Sequence, residues 1–180
     1  MNVKIRKEEP CDMPFVFDLI QLAFENEQHS DHQEQILVDS LRRSPEFIPE
    51  LSIIAESEGK IVGYLLLTKI QIVNHENQQI QNSLALAPVA VLPQFQGKGV
   101  GSKLILYSHQ IAKELGFRSI ILLGHADYYP KFGYVPASVY AIKLPFDAPD
   151  ENCLAKELFE NSLKGIHGIV RYPKEFGIIS

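Results

Sequence analysis

The chain has 180 residues, of which 46% are hydrophobic and 22% are charged, and its formal net charge is −5. This composition is typical of a globular protein, and the length predicts a single domain over residues 1–180 with one sizeable core. Acidic and basic residues are interspersed, so no basic tract favours binding to nucleic acid. We also expect neither a signal peptide nor a membrane span, because no apolar run approaches about 20 residues.

The residues that most often bind metals do not form a recognisable framework. The two cysteines, Cys11 and Cys153, are far apart and lack CxxC spacing, which predicts a reducing compartment and a cytoplasmic protein. A polar cluster between the first two predicted helices has no HExxH or Cys/His pattern, so we interpret it as a solvated loop and predict no metal site. The cluster consists of Glu25, Glu27, His29, His32 and Glu34.

The N-terminal half predicts a short strand, two helices and three longer strands. Asp12 is expected to cap the first helix, whose apolar residues recur at helical spacing to about Phe24. A second helix is expected to end at Ser44-Pro45. The strands are expected to pair as a hairpin followed by a returning strand. The predicted strands are Val3–Arg6, Leu51–Glu56, Ile61–Val73 and Ile80–Leu92, and the second helix is His32–Arg43.

The C-terminal half begins with a helix whose apolar face steps from Val100 to Leu115, with Gly116 placed as its C-terminal cap. The apolar strand Ser119–Leu123 follows, so strand, helix and strand form a βαβ unit with parallel neighbours. Later segments predict a short helical stretch closed by Gly133 and three further strand-like stretches. The helical stretch is Asp127–Phe132, and the strand-like stretches are Tyr134–Leu144 (interrupted at Pro136), Cys153–Phe159 and Gly165–Phe176. The whole order predicts a mixed α+β layer structure.

The segment Leu84–Gly101 joins an apolar strand, a glycine-rich turn and a helix start, which is the pattern of an anion site. A Walker A loop is absent, and the glycine spacing fits no Rossmann fingerprint. The spacing does fit Q/R-x-x-G-x-G/A, through Gln96, Gly99 and Gly101. Gln94 with Gly97 and Gly99 fits the same pattern in an earlier register. We prefer the later register, because Gly101 then lies in the first turn of the helix.

The segments VAVLPQFQGKGVGSKLI and DYYPKFGYVPA follow one another in this order along the chain. The first is similar to the acetyl-CoA motif of the GCN5-related N-acetyltransferase (GNAT) superfamily, and the second is similar to that family's second motif. With the early HxE…LR segment (His32, Glu34, Leu41, Arg42) and the late GIVRYPKEF, the chain resembles a bacterial subfamily of predicted, uncharacterised acetyltransferases. The resemblance implies a three-layer α/β GNAT fold, with a mixed central sheet whose parallel strands splay around the βαβ motif. It also implies acetyl-CoA as co-substrate.

The resemblance further implies which residues bind the co-substrate. Backbone groups of Val89, Ala90 and Val91 would pair with the pantetheine arm in the gap between Leu84–Leu92 and Ser119–Leu123. Successive N–H groups of the glycine turn would hold the pyrophosphate, and Phe132 would pack against the cofactor. The turn residues are Gln96, Gly97, Lys98, Gly99, Val100, Gly101 and Ser102. Lys98 is equally compatible with a solvated surface lysine.

Tyr129 matches the family's frequent catalytic tyrosine, which would protonate the leaving thiolate, while the N–H of Val91 would stabilise the oxyanion. The base that deprotonates the amine stays open between His125, Asp127 and water. The acceptor could be a small amine or a protein amine, attacked directly in a ternary complex. Two alternatives are a non-catalytic acyl-CoA-binding module on the same fold and a protein that binds ATP at the glycine turn. A homodimer is plausible through edge strands near the C-terminus.

Overall fold

A computed structural model describes residues 2–28 and 30–178 of the chain. Within these residues there are three α-helices: Met13–Phe24 (α1), Glu34–Leu41 (α2) and Val100–Glu114 (α3). The strands are Lys4–Lys7 (β1), Ser52–Ser57 (β2), Lys60–Asn74 (β3), Gln79–Val91 (β4), Ser119–Leu123 (β5), Val135–Pro136 (β6), Ile142–Lys143 (β7), Cys153–Glu157 (β8) and Gly168–Arg171 (β9). None of the helices within the described ranges is long and apolar enough to cross a membrane.

The chain forms two compact units, and the three points at which the chain passes from one unit to the other fall inside regular elements. The first unit comprises Met1–Leu67 and Ala87–Ile111, and the second comprises Thr68–Leu86 and Ala112–Ser180. The strands β3 and β4 and the helix α3 therefore each contribute residues to both units. The prediction of a single domain stays a prediction.

The first unit is built on antiparallel pairing of β1 with β2 and of β2 with β3, with a register shift at Ala55/Glu56. The helices α1 and α2 bury their apolar sides, which include Val16, Leu19, Ile20, Val38 and Leu41. The start of α1 differs from the prediction. Asp12 precedes the helix but does not cap it, because its carboxylate accepts the N–H of Glu9 at 2.7 Å and pairs with Arg6.

The second unit contains the predicted parallel neighbours. Leu84 pairs with Ile120 and Ala85 with Ile121, which confirms the βαβ arrangement of β4, α3 and β5. The strand β8 pairs antiparallel with β5 and β6, while β9 pairs antiparallel with β3 and parallel with β7. Ile70, Ile121, Ala155 and Val170 belong to its buried apolar cluster. The parallel ladder between β4 and β5 is thus only two register pairs long and ends at Ala85.

The predicted strand Tyr134–Leu144 is wrong over most of its length. The segment contains the two-residue strands β6 and β7, separated by a 3-10 helix at Ala137–Tyr140. Pro136 cannot donate to a ladder, and Ala141 ends the 3-10 helix in the left-handed region with φ +54°. The stretch Asp127–Phe132 contains a 3-10 helix, Tyr129–Phe132, which Gly133 closes with φ +86° as predicted.

The helix α3 begins at Val100, as predicted, and ends at Glu114, one residue before Leu115, the last residue of the predicted apolar face. Gly116 has φ +84°, and the N–H of Phe117 returns to the C=O of Ala112 at 3.0 Å, which confirms the C-terminal cap. The predicted apolar face is only partly right. Leu115 is 43% exposed, whereas Ile105, Ser108 and Ala112 are fully buried. The hydroxyl of Ser108 donates to the C=O of Ile105, so this polar group is buried with its own partner.

Candidate active site

In the first unit, several backbone N–H groups at the start of α3 are available as hydrogen-bond donors. Gly97 and Gly99 have φ +71° and +81°, conformations that favour glycine, and Gly99 accepts the N–H of Lys103 at 3.1 Å as the cap of the helix. The next N–H groups, those of Val100, Gly101 and Ser102, have no intrahelical acceptor because they lie in the first turn. They can therefore serve an anion, aided by the helix dipole. Gly101 lies in the first turn, as the later glycine register predicts.

Val91, the last residue of β4, has its backbone aimed away from β3. The N–H of Leu92 donates to Val62 of β3 at 3.1 Å, and successive strand residues direct their backbone groups to opposite edges. On this outward edge, the side chain of Gln96 donates to the C=O of Val91 at 3.1 Å. The outward N–H of Val91 thus lies beside an acceptor that already has a partner. Val89 shares this outward parity, whereas Ala90, which is buried, has the parity of Leu92.

Lys98 is exposed, and its Nζ lies 5.5 Å from the centre of the Phe95 ring. This contact is typical of a weak surface cation–π interaction. The ammonium stays near the glycine turn without an ion pair among the described residues. Its role toward a phosphate remains a prediction.

In the second unit, Tyr129 opens the 3-10 helix that follows β5 and is half-buried. A Cβ added at Gly124 would lie 2.4 Å from Cε2 of Tyr129, so the ring rests directly on a residue that has no side chain. The rings of Tyr128 and Tyr134 pack edge-on against it, with centroids 5.2 and 5.6 Å away. The C=O of His125 accepts the N–H of Tyr128 and closes the turn. Tyr129 is therefore fixed by contacts on several sides.

Burial raises the pKa of Tyr129 above its usual value, and the neighbouring Tyr128 adds to the effect. The pKa of Tyr134 is also raised by burial. A raised pKa keeps the Tyr129 hydroxyl protonated at neutral pH, so this group can donate a proton and is a poor base.

The other predicted residues of this segment have contrasting environments. His125 and Asp127 are exposed beyond the end of β5, where either could reach a bound ligand or water. Phe132 is buried, with 9% of its surface exposed, and packs edge-on against Tyr128 at 5.4 Å. Its contact with a cofactor stays a prediction.

The polar cluster between α1 and α2 has internal partners. His32 contacts the C=O of Phe24 at 2.9 Å, and Glu34 accepts the hydroxyl of Ser30. A cavity of about 450 Å³ in the first unit is lined in part by Asp18, Glu25 and His32. Among residues 2–28 and 30–178, no three His, Cys, Asp or Glu side chains are grouped to hold a metal ion. The predicted cluster member His29 lies outside the described residues.

Leu41 and Arg42, the last two residues of the early HxE…LR segment, have buried side chains in the first unit. Leu41 is fully buried. Arg42 forms a buried ion pair with Glu8, with Nη2 and Oε1 2.5 Å apart, and pairs also with Asp39.

Sequence reasoning missed two residues beside Tyr129. Gly124 follows the apolar strand β5 directly, and that position is a signal for a turn or a close approach. Asn152 exchanges two hydrogen bonds with Gly124: its C=O accepts the Gly124 N–H and its side chain donates to the Gly124 C=O, both at 2.9 Å. Nothing in the spacing of the sequence distinguishes this asparagine from others in loops.

The described fold matches crystal structures of acetyltransferases. The crystal structure of YhbS from Escherichia coli in complex with CoA superposes with a TM-score of 0.86 at 24% identity, over 100% of this chain and 94% of that one. A GNAT-family acetyltransferase from Brucella melitensis, solved with acetyl-CoA, gives a TM-score of 0.78 at 27% identity, over 97% of this chain and 98% of that one.

Sequence comparison agrees with the structural likeness. YjhQ from Escherichia coli K12, an uncharacterised N-acetyltransferase, is 36% identical over 121 residues, which are 67% of this chain and 66% of YjhQ. YhbS from the same strain is 24% identical over 172 residues, or 96% of this chain and 97% of its own length. The family model described as "Acetyltransferase (GNAT) family" matches residues 13–134.

The chain therefore belongs to the GNAT acetyltransferase family. Both the predicted GNAT fold, with its mixed sheet of parallel and antiparallel strands, and the predicted enzyme class, N-acetyltransferase, are confirmed.

Proposed function

We propose that the protein transfers an acetyl group from acetyl-CoA to a primary amine by direct attack, with both substrates bound together. The observation that carries the proposal is the contact of the Tyr129 ring with Gly124, in the segment that resembles the family's second motif. Burial raises the pKa of Tyr129, which favours the protonated hydroxyl. YhbS was crystallised with CoA and the Brucella melitensis relative with acetyl-CoA, which supports the same co-substrate here.

The first unit has backbone groups suited to this co-substrate. The N–H groups of Val100, Gly101 and Ser102 would bind the pyrophosphate. Gly97 and Gly99 have positive φ angles and carry no side chains, so the backbone of the turn is open to a ligand at these two positions. The outward backbone groups of Val89 and Val91 would pair with the pantetheine arm as a short extra strand. Bound acetyl-CoA supplies a thioester, whose carbonyl carbon is open to attack.

Three groups of the chain would then transfer two protons and stabilise the negative charge that develops on the carbonyl oxygen. As the amine nitrogen forms its bond to the carbonyl carbon, the Val91 N–H stabilises the oxyanion. When the carbon–sulfur bond breaks, the Tyr129 hydroxyl gives its proton to the departing thiolate and later regains one from solvent. His125 removes the proton that the amine loses, directly or through a water molecule. The products are the acetylated amine and CoA.

A direct mechanism is favoured over an acetyl-enzyme route because neither cysteine is suited to carry the acetyl group. Burial raises the pKa of the Cys153 thiol, and the neighbouring carboxylates Asp150 and Glu151 raise it further. A thiol with a raised pKa has little of the nucleophilic thiolate at neutral pH. Cys11 is exposed near the N-terminus, outside both motifs.

The test measures CoA release from acetyl-CoA over four primary amines: spermidine, L-lysine, glucosamine and a peptide with a free N-terminus. We expect at least one amine to turn over. Tyr129→Phe is expected to lower kcat by about 10²–10⁴-fold, the usual contribution of a general acid. The matched control is Tyr107→Phe, a half-buried tyrosine on α3 with no assigned role, which should keep full turnover.

Binding of CoA and ATP distinguishes the proposed enzyme from the acyl-CoA-binding module and from the ATP-binding protein. CoA should protect the wild-type protein and Tyr129→Phe equally against thermal unfolding, and ATP should protect neither. Tight CoA binding without turnover of any amine would contradict the enzyme and support a non-catalytic acyl-CoA-binding module. Protection by ATP alone would contradict the proposed co-substrate. For the base, His125→Ala should lower kcat about tenfold or more, and an unchanged kcat would contradict this role and leave Asp127 or water as the base. The cytoplasmic location and the homodimer stay predictions.

A further inference from the structure

The end of β5 is joined to the start of β8 by an asparagine side chain that replaces a missing backbone donor. The antiparallel ladder of these strands ends with the pair Leu123–Cys153, and Gly124 with Asn152 is the next pair in the same register. The N–H of Gly124 donates to the C=O of Asn152 at 2.9 Å, as a ladder requires.

The reciprocal bond of this pair is made by a side chain. The N–H of Asn152 turns instead to the C=O of Pro149 at 3.0 Å, because Asn152 ends the 3-10 helix Asp150–Asn152. The C=O of Gly124 would be left without its ladder donor, but Nδ2 of Asn152 donates to it at 2.9 Å. Both polar groups of Gly124 are thereby held by one residue.

Gly124 in turn is the surface on which Tyr129 rests. A Cβ at Gly124 would lie 2.4 Å from Cε2 and 2.9 Å from Cδ2 of the Tyr129 ring, so ring and glycine backbone are in contact. A shift of the Gly124 backbone would therefore move the ring or open a gap beneath it. Gly124 also precedes His125, whose C=O closes the turn at the N–H of Tyr128.

We propose that Asn152 is a positioning residue for Tyr129: its side-chain amide holds the Gly124 backbone at the place where the tyrosine ring packs. This inference rests on the proposed role of Tyr129 as the general acid. A misplacement of about 1 Å in a catalytic group can cost about 10²-fold in rate, so a partial loosening should be visible in kcat.

The kinetic test uses Asn152→Ala and Asn152→Asp, which keeps the side-chain size but removes the donor. Each is measured alone and combined with Tyr129→Phe, with acetyl-CoA and the amine of the four-member panel that turns over fastest. Each single variant should lower kcat about tenfold and leave KM for acetyl-CoA within about twofold. In the Tyr129→Phe background the same changes should lower kcat less than about twofold, because the group being positioned is gone.

The matched control is Asn74→Ala. Asn74 is a buried asparagine of the second unit whose side chain bonds His167 and the N–H of Glu76 instead of the Tyr129 turn. This variant should lose thermal stability and keep kcat within about twofold.

Amide hydrogen exchange tests the same contact without any amine acceptor. Asn152→Ala should raise exchange across residues 124–133 about fivefold, as expected when one hydrogen bond is lost, whereas Asn74→Ala should leave that segment unchanged. Unchanged exchange in Asn152→Ala would overturn the inference. An equal loss of kcat in both tyrosine backgrounds would overturn it while leaving the acid role of Tyr129 intact. Full turnover by Tyr129→Phe alone would overturn that acid role and, with it, this inference.

Discussion

Gly124 and the ring of Tyr129 are in direct contact, and there is no room for a side chain between them. A Cβ at Gly124 would lie 2.4 Å from the ring and 2.8 Å from Cδ1 of Leu122. Real Cβ atoms do not approach other atoms this closely, so Gly124→Ala must displace the tyrosine or the leucine. Asn152 holds the Gly124 backbone through both its N–H and its C=O, which leaves the side chains to move.

We expect Gly124→Ala to lower kcat about 10²-fold, because the Tyr129 hydroxyl is moved from the leaving group. CoA affinity, measured by calorimetry, should change little. The control is Gly116→Ala, where φ is +84° and no atom lies within 4 Å. That variant should lose about 1 kcal/mol of stability through backbone strain and keep full turnover. A fully active Gly124→Ala protein would contradict the importance of the contact.

The pH dependence of turnover follows from the raised pKa of Tyr129. The protonated hydroxyl is the active form of a general acid, and burial moves its pKa above the usual value of about 10. Loss of the proton therefore begins only at high pH, and kcat should show no alkaline decline between about pH 7 and 9.5. CoA release, corrected for spontaneous thioester hydrolysis, measures this. A decline of kcat with a midpoint below pH 9, present in the wild type and absent in Tyr129→Phe, would contradict the prediction. It would show that the Tyr129 hydroxyl loses its proton at a lower pH than its raised pKa implies.

Two glutamines distinguish the two glycine registers of the turn. Gln96 donates to the C=O of Val91, whereas Gln94 is exposed in the preceding 3-10 helix. Gln96→Ala should weaken CoA binding about five- to tenfold, because the lost hydrogen bond loosens the turn that holds the pyrophosphate donors. Gln94→Ala should bind CoA as the wild-type protein does. The reverse result in calorimetric titrations would assign the turn to the earlier register.

The ion pair between Glu8 and Arg42 should contribute strongly to stability in the first unit. Their side chains are 1% and 6% exposed, and Glu8 also accepts the hydroxyl of Ser52, which lies 2.8 Å from that of Tyr64. Glu8→Gln leaves the guanidinium buried without its main partner, at a cost of about 3 kcal/mol in the free energy of unfolding. Urea denaturation measures this. The exposed pair of Lys7 and Glu50 provides the control, since Glu50→Gln should cost about 0.5 kcal/mol or less.

The carboxylate of Asp12 should make stability depend on pH. Hydrogen bonding from Arg6 holds the pKa of Asp12 below its usual value, and the N–H of Glu9 adds to the effect. A lowered pKa stabilises the fold above the unfolded-state value of about 3.9, and that contribution is lost as pH falls through the folded-state pKa. Asp12→Asn should therefore cost about 2 kcal/mol at pH 7 and clearly less near pH 3. The exposed Asp147→Asn should cost little at either pH. If the stability lost in Asp12→Asn were the same at both pH values, the charge of the carboxylate could not be its source.

Local signals predicted the elements that carry the glycine turn. The short apolar run Ser119–Leu123 predicts a strand, and β5 lies there. The glycines Gly99, Gly116 and Gly133 all take positive φ at the helix ends where the pattern placed them. These features depend on residues close together in the chain, which sequence patterns report directly.

Tertiary contacts decided what the sequence could not reveal. Val139 favours strand by propensity, yet it lies in a 3-10 helix, whereas the interruption at Pro136 is the part of this segment that the sequence predicts. Ser108 is fully buried while Leu115 is 43% exposed, because packing by distant residues sets the buried face of α3. The bond from Asn152 to Gly124 joins residues 28 positions apart and depends on a backbone N–H that has turned elsewhere.

The hydrogen bond from Gln96 to Val91 gives the outward edge of β4 a chemical polarity. At Val91 the C=O already accepts one hydrogen bond, from Gln96, and the N–H is directed outward, so the edge favours a neighbouring group that offers an acceptor. A carbonyl oxygen laid beside Val91 finds an N–H donor, whereas an N–H laid there would have to share the Val91 C=O with the Gln96 side chain. The edge thus discriminates between ligands by the direction in which their amide and thioester groups point.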